Sequence, residues 1–428
     1  RRLPPLLLGL GLTAARAAGP SEGPLSACGG DAVAAWTSAE HKAAGYHVLC
    51  LGPSGPGCAG GSGAASEDSS SPGAVCRADG QMAVSICWDG SRVDCEEFAL
   101  AEPGDLVRFE EALIERRPLK NPTRYNKLKQ AAKRQGWWGG QAESPGLFGF
   151  YKVTDPERTP TRIKSPAELS GLVLAFEGGS FLWPGVEVGF RRNITITPDD
   201  GEALALQLVT RSLRPLILEV SRFLLPSECQ HIIEKATPHI RKSAVSHMDH
   251  DVGKPDTNWR SSSTYFMASD DEVLWLLDER ISALTVTGTS HQEYTQVLRY
   301  ERGERYAAHH DYFDPAMYAK NDDIMSMTEK GLYNRMATVF FYLTTVEEGG
   351  HTNFPRAGGL PVPNSFEDCS RGVSIDPQEG RIIIFYSQDP AGQLDEYSLH
   401  GGCSVGTGTK WSANKWIWNK PMPFTTEH

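Results

Sequence analysis

The chain has 428 residues, of which 40% are hydrophobic and 22% charged, with a formal net charge of −11. Such a length accommodates a large core and two domains, and the composition is that of an ordinary globular protein. The acidic balance speaks against general nucleic-acid binding and suits an enzyme whose polypeptide partners are neutral or basic.

The sequence opens RRLPPLLLGLGLTAARAAGP, without an initiator Met. Two Arg, an apolar run from Leu3 to Leu12 and Ala15-Arg16-Ala17 read as a secretory signal peptide over residues 1–18 whose start is missing. The apolar run is too short to span a bilayer. A longer anchor cut upstream and an organelle transit peptide stand as rival readings, so membrane association is expected only if the N-terminus extends to an anchor. Residues 19–100 form a Cys/Gly/Ser-rich region holding six of the nine cysteines, Cys28, Cys50, Cys58, Cys76, Cys87 and Cys95. Behind such a leader they are expected to pair as disulfides, in too many combinations for the sequence to choose among. The absence of a C-x₂-C pair disfavours zinc.

Residues 101–212 make a module of helix and short strands. Leu106, Phe109 and Leu113 recur at helical spacing within DLVRFEEALIERR. A basic run from Arg116 ends at Trp137-Trp138 and reads as a solvated connector rather than a nucleic-acid patch. GLFGFYKV, LVLAFEGGSFLWPGVEVGF, ITITP and ALALQLV alternate β-type runs with turn residues, as a small β-rich unit or as strands added to a larger sheet. From residue 213 a strand, LILEVSRFL, leads to two helices, each preceded by a candidate capping box, Ser227 to Gln230 and Ser269 to Glu272. Then strands dominate: EYTQVLRY, MATVFFYLTT, GRIIIFYS and KWSANKWIW. Helices followed by a run of strands indicate an α+β fold.

The chemistry concentrates in LRYERGERYAAHHDYF, Leu298 to Phe313. On a strand, His309 and Asp311 face the same way and His310 the other. An imidazole and a carboxylate from one strand, joined by a distant His400, make the two-His-one-carboxylate set of non-haem Fe(II) enzymes. Chance alone supplies about 1.5 H-x-[DE] matches in this composition, and His247-Met-Asp249 and His291-Gln-Glu293 are the other two. The first lies in a polar loop and the second lacks aromatic flanks. Ten residues beyond His400, Lys410 offers a fixed positive charge to the far carboxylate of a dicarboxylic co-substrate.

Five ordered blocks, RPLILEVSRFLLPSECQHII, WRSSSTYF, QVLRYERGERYAAHHDYF, NRMATVFFYLTTVEEGGHTNFP and the stretch from His400 to Trp418, resemble the plant and algal prolyl 4-hydroxylases of the 2-oxoglutarate/Fe(II) dioxygenase superfamily. The resemblance covers 213–424, roughly half the chain. It implies a double-stranded β-helix, jelly-roll-like, as catalytic core with buttressing helices. It implies Fe(II) on His309, Asp311 and His400, with 2-oxoglutarate reaching Lys410 and lined by Tyr300 and Thr352. Tyr306, Arg335 and Trp416 match the positions that grip the peptide, whose aromatic faces suit a proline-rich polypeptide. The implied reaction is hydroxylation of peptidyl proline at C4, coupled to decarboxylation of 2-oxoglutarate to succinate and CO₂, with ascorbate as a further cofactor and the endoplasmic reticulum as the place. The oxidant of such a reaction must be shielded from water, so closure over the substrate is expected, with Met248 to Ser261 and Pro315 to Tyr333 as the lid candidates. The sequence departs from its relatives at Trp418, commonly His there, and uses Lys where lysyl hydroxylases and oxygen-sensing prolyl hydroxylases use Arg. A dioxygenase acting on another residue or a small molecule, and an inactive peptide-binding relative, are the alternatives.

Overall fold

The computed structural model describes residues 82–90, 94–100, 106–136, 147–199, 201–244, 247–256 and 259–422. The expected signal peptide, Cys28, Cys50, Cys58, Cys76 and Trp137-Trp138 lie outside them.

Strands β1 (Met82–Trp88) and β2 (Cys95–Leu100) pair antiparallel, with a disulfide joining the facing Cys87 and Cys95. Helix α1 (Leu106–Arg116) buries Leu106, Phe109 and Leu113, the stripe that its sequence spacing predicts. Helix α2 (Pro122–Arg134) starts at a proline, where no N–H needs a partner, and Asn121 caps it by accepting from Arg124 N at 3.1 Å. With β3 (Gly149–Val153), β4 (Thr161–Arg162) and β5 (Gly171–Phe176), these strands form a sheet in the order β2-β1-β5-β3-β4, its β1–β5 pair parallel. Both faces of β5 are covered. Val173 and Ala175 pack with α1 and α2, while Leu172, Leu174 and Phe176 join Phe181, Trp183 and the core of the rest of the molecule. That explains the unbroken apolar run GLVLAF, which a half-exposed strand would not carry.

Next come β6 (Arg191–Ile196), β7 (Leu204–Leu213), β8 (Leu216–Val220), α3 (Pro226–Ala236), β9 (Arg241–Lys242), β10 (Ser263–Met267), α4 (Glu272–Thr285) and β11 (Thr295–Tyr300). They are followed by β12 (Tyr306–His309), α5 (Asp322–Met327), β13 (Arg335–Tyr342), β14 (Thr352–Phe354), β15 (Val373–Ile375), β16 (Ile382–Tyr386), β17 (His400–Gly402) and β18 (Lys410–Trp418). Among the described residues these strands make two antiparallel sheets, a larger one ordered β6-β7-β8-β16-β13-β18-β11-β10-β9 and a smaller one ordered β12-β17-β14-β15. The fold is thus mixed α+β. Strands β6 and β7 belong to the larger sheet, one of the two readings their sequence allowed.

The two helix starts differ from the sequence expectation. The N-cap of helix α3 is Leu225, two residues before Ser227: Leu225 N donates to Glu228 Oε2 at 2.8 Å and Pro226 takes the first turn. Helix α4 is capped by Asp271, whose carboxylate accepts from Leu274 N at 3.0 Å, while Ser269 Oγ turns instead to Asp278 Oδ2 at 2.6 Å.

Alternation along the central strands then fixes what lies inside. On β13, Ala337, Val339 and Phe341 pack into the core that includes the α3 and α4 stripes, so Thr338, Phe340 and Tyr342 point to the opposite face, toward the smaller sheet. By the same period β18 turns Lys410, Ser412, Asn414 and Trp416 inward. A second disulfide, Cys369–Cys403, ties the loop after β14 to the residue following β17. Both bridges are what an oxidising compartment outside the cytosol supports. Among the described residues no helix is long and apolar enough to cross a membrane.

Candidate active site

Strands β12 and β17 pair so that His309 stands directly across from His400. The approach is close: a Cβ on Gly401 would lie 2.9 Å from Tyr306 O and 3.0 Å from Ala308 N, so only glycine permits it. Asp311, two residues past His309, lies with its carboxylate 3.7 Å from His309 Nε2 and 3.5 Å from His400 Nε2. These three are the group of His, Cys, Asp or Glu side chains among the described residues whose donor atoms all lie within 4.8 Å of one another. His310 stands outside it, its Nε2 bonded to Glu396 O at 3.0 Å.

The donor set fits a divalent metal. Each triad imidazole has Nδ1 at 2.9 Å from a backbone carbonyl, Ala307 O for His309 and Ser398 O for His400. A carbonyl only accepts, so Nδ1 carries the proton and Nε2 keeps its lone pair. Burial and the neighbouring His400 push the His309 pKa well down, holding that ring neutral. Burial alone would raise the Asp311 pKa, but His400, His309, Arg335 and the Thr338 hydroxyl outweigh it and keep the carboxylate ionised. Thr338 Oγ1 donates to Asp311 Oδ2 at 2.6 Å. Two imidazole nitrogens and one carboxylate are the set expected for Fe(II) with open positions.

Behind the triad, His400 packs on Phe385 and Phe354, at 4.5 and 5.6 Å between ring centroids. These belong to the apolar cluster that also holds Tyr300, Phe340 and Tyr342. Lys410 reaches into it, 1% exposed, facing Tyr300 as its direct cross-strand partner. Its ammonium lies 5.3 to 5.7 Å from the rings of Tyr300, Phe340 and Tyr342, and it makes no ion pair among the described residues. Burial alone brings its pKa down to about 7. Around it the Tyr342 and Thr352 hydroxyls face each other, and Ser412 Oγ is buried without a partner among the described residues. A buried ammonium without an ion-pair partner, with buried hydroxyls beside it, is what a bound carboxylate would satisfy.

In front of the triad opens a cavity of about 450 Å³, lined among others by Tyr306, His309, Asp311, Arg335 and Trp416. The structure therefore brings the three expected peptide-gripping residues together beside the triad, and Tyr300, Thr352 and Lys410 together behind it. Tyr306 stacks on His309 with 3.7 Å between centroids, and Arg335 lies 3.6 Å above the Trp416 ring. Arg335 Nη1 also donates to Asp311 O at 3.2 Å.

Three participants were missed by the sequence reading. Thr338 was legible in principle, since strand alternation puts it on the face of Phe340. Arg260, 4.6 Å over the Tyr306 ring with its Nη2 buried and unpartnered, lies in the WRSSSTYF block without having been singled out. Glu293 lies in a weak His-x-Glu metal motif, yet it holds Arg335 through bonds of 2.6 and 2.8 Å. Trp418 also donates to Glu293, at 2.5 Å, and is fully buried with Phe313, Tyr318 and Ile324. It therefore sits behind Arg335 and seats the 315–333 segment rather than lining the cavity. That segment is also bonded to the other closing segment, through Asp249 N to Met317 O at 2.8 Å and Lys320 N to Asp249 Oδ2 at 2.9 Å. His247 and His291 bond to Asp256 Oδ1 and Trp418 O and take no part in the triad.

The sequence profile of the 2OG-Fe(II) oxygenase superfamily matches residues 295–418. Probable prolyl 4-hydroxylase 10 of Arabidopsis thaliana is 40% identical over 202 residues, 46% of this chain and 66% of that protein. Probable prolyl 4-hydroxylase 3 of the same plant is 38% identical over 213 residues, covering 48% and 70%. Probable prolyl 4-hydroxylase 9 is 31% identical over 276 residues, covering 63% and 88%. Among solved structures, the chain is similar to the viral collagen prolyl hydroxylase of Paramecium Bursaria Chlorella virus-1 in its 2OG complex, at 25% identity and TM-score 0.33, covering 47% of this chain and 95% of that one.

Proposed function

This chain belongs to the prolyl 4-hydroxylases of the 2-oxoglutarate/Fe(II) dioxygenase superfamily, and we propose that it hydroxylates peptidyl proline at C4 in proline-rich polypeptides. The observation that carries this reading is Lys410, a buried ammonium without a counter-charge, on the inner face that also bears the residues around the triad. The catalytic unit is assigned to 213–424, a double-stranded β-helix, and its place to the secretory pathway, in the endoplasmic reticulum.

Bound Fe(II) and 2-oxoglutarate supply the oxidising chemistry, with O₂ consumed, succinate and CO₂ released, and ascorbate keeping the metal reduced. The chain's residues do the rest. His309 and His400 would hold the metal through Nε2 and Asp311 through its carboxylate. Lys410, with Tyr300 and Thr352, orients the co-substrate by holding its distal carboxylate in an apolar pocket, where one such contact counts for more than in water. Tyr306, Arg335 and Trp416 hold the peptide: the aromatic faces take proline rings, and Arg335 donates to peptide carbonyls. A polyproline II segment has already lost much of its freedom, so docking it costs little further entropy. The coupled segments around Asp249 and Lys320 exclude water from the site.

The test is mass spectrometry of proline-rich and single-proline peptides after incubation with Fe(II), ascorbate and 2-oxoglutarate. Oxygen insertion on proline is expected, fastest in polyproline or Ser-Pro repeats. Insertion on lysine, or oxidation of a small molecule alone, overturns the reading.

A further inference from the structure

Asn193-Ile194-Thr195 is the chain's one Asn-x-Ser/Thr triplet with a non-proline centre, since Asn121 is followed by Pro122. It falls on β6, the outermost strand of the larger sheet, at the edge away from β11, β13 and β18. Alternation there is clean: Arg192, Ile194 and Ile196 are buried, while Arg191 and Asn193 face solvent. Gln207, directly opposite on β7, donates from Nε2 to Asn193 Oδ1 at 3.0 Å, and its own Oε1 accepts from Arg191 at 2.7 Å. That ladder engages the amide oxygen, and no described hydrogen bond engages Nδ2. Thr195 N donates outward to Glu157 O at 2.5 Å, so the two-residue period aims the Asn193 N–H outward as well, past the last bond that covers this edge.

We propose that Asn193 carries an N-linked oligosaccharide. This rests on the secretory reading given above, supported by the Cys87–Cys95 and Cys369–Cys403 bridges. In the attachment, Nδ2 displaces the pyrophosphate of a lipid-pyrophosphate-linked oligosaccharide at its C1. The N–C bond forms, the C–O bond to pyrophosphate breaks, and Nδ2 gives up one proton as the lipid pyrophosphate leaves. On the finished protein the sugar stands on an edge strand, where an unpaired strand edge would otherwise accept another chain. The site lies several strands from the triad, so turnover does not depend on it.

The chain should be expressed in its own host with its leader intact, then measured by intact mass before and after peptide N-glycosidase. One oligosaccharide is expected, removable by the glycosidase and leaving residue 193 deamidated. Asn193→Gln and Thr195→Ala should lose it and Thr195→Ser keep it, with 2-oxoglutarate turnover unchanged in all three. The glycan-free variants should also self-associate more on concentration. Protein with both bridges formed but no sugar on residue 193 overturns the site and leaves the compartment standing. Protein with free thiols at Cys87, Cys95, Cys369 and Cys403 overturns the compartment, and the site with it.

Discussion

Glu293 and Arg335 meet through a two-pronged ion pair, Nε to Oε1 at 2.6 Å and Nη2 to Oε2 at 2.8 Å, on the wall of the cavity in front of the triad. The pair fixes the plane of the guanidinium against Trp416 and leaves Nη1 on the Asp311 carbonyl. Because Glu293 also accepts from Trp418, one carboxylate orders both a proposed substrate contact and the side chain beneath it.

Glu293→Ala should therefore act first on peptide binding. Arg335 loses its partner and swings, and Trp418 Nε1 is left buried without an acceptor. Peptide KM should rise by about 10-fold or more while the 2-oxoglutarate requirement holds, and stability should fall by about 1–3 kcal/mol. Steady-state kinetics on both substrates and urea unfolding check the split.

Metal binding should depend on Thr338, which touches no metal itself. Thr338→Val removes the 2.6 Å bond that orients Asp311. Outer partners of this sort are worth about 10–100-fold in metal affinity. A Mn(II) titration should show that loss in Thr338→Val, complete loss in His309→Ala and Asp311→Ala, and little change in His310→Ala. Wild-type affinity in His309→Ala would remove the triad assignment.

Lys410 sets a pH dependence. Burial lowers its pKa to about 7, far below the unfolded value of 10.5, so between these limits the unfolded chain binds the extra proton. Its contribution therefore makes ligand-free stability rise with pH from about 7 toward 10.5. A carboxylate beside it restores the charge, so 2-oxoglutarate binding at pH 8 should take up close to one proton, seen by calorimetry in buffers of differing ionisation enthalpy. Lys410→Met should abolish both effects and weaken 2-oxoglutarate binding by about 3–5 kcal/mol.

Glu110 works in the opposite direction, on helix α1, which packs on the sheet that precedes the site. It is fully buried, with Oε2 accepting from Leu147 N and Phe148 N at 2.6 and 3.0 Å, and burial raises its pKa from 4.5 to about 7. The folded chain thus holds a proton that the unfolded chain releases, and this contribution is lost as pH rises from 4.5 through 7. Glu110→Gln keeps an acceptor for both amides and should flatten that part of the stability–pH curve.

The Cys369–Cys403 bridge closes a loop of 34 residues beside His400. Replacing both by Ser should cost about 2–4 kcal/mol. Metal affinity should fall with it, since Cys403 N bonds to His351 O next to β17. A stability change without a metal effect would separate the bridge from the site.

How much of this could be read beforehand depends on how local each signal is. His309 and Asp311 share a strand face by a period of two, which sequence shows directly. His400 and Lys410 were legible as a distant imidazole and a lysine ten residues on, given weight by the resemblance, while the facing of His309 with His400 is a register no pattern gives. Strand runs such as MATVFFYLTT and GRIIIFYS were legible because apolar residues have few other places to go. Glu293 was not, because its partner Arg335 is 42 residues away and only the β11, β13 and β18 alignment brings them together. The same holds for Cys369–Cys403, and for the parallel pairing of β1 with β5 across two helices. The helix caps failed for a nearer reason: several Ser, Asp and Glu compete within four residues, and packing chooses among them.

The last of the described strands, β18, lies at the middle of the larger sheet, bonded on one side to β13 and on the other to β11. On a ribosome this strand leaves the exit tunnel after every other described strand, so β11 and β13 must wait, their inner edges open, until Lys410–Trp418 arrives. The strands that frame the site are thus open to mispairing until β18 emerges. Any product of premature termination before residue 410 lacks the wedge that joins the two halves of the sheet, together with the lysine it carries. Synthesis therefore assembles the scaffold early and the working enzyme all at once, at the end.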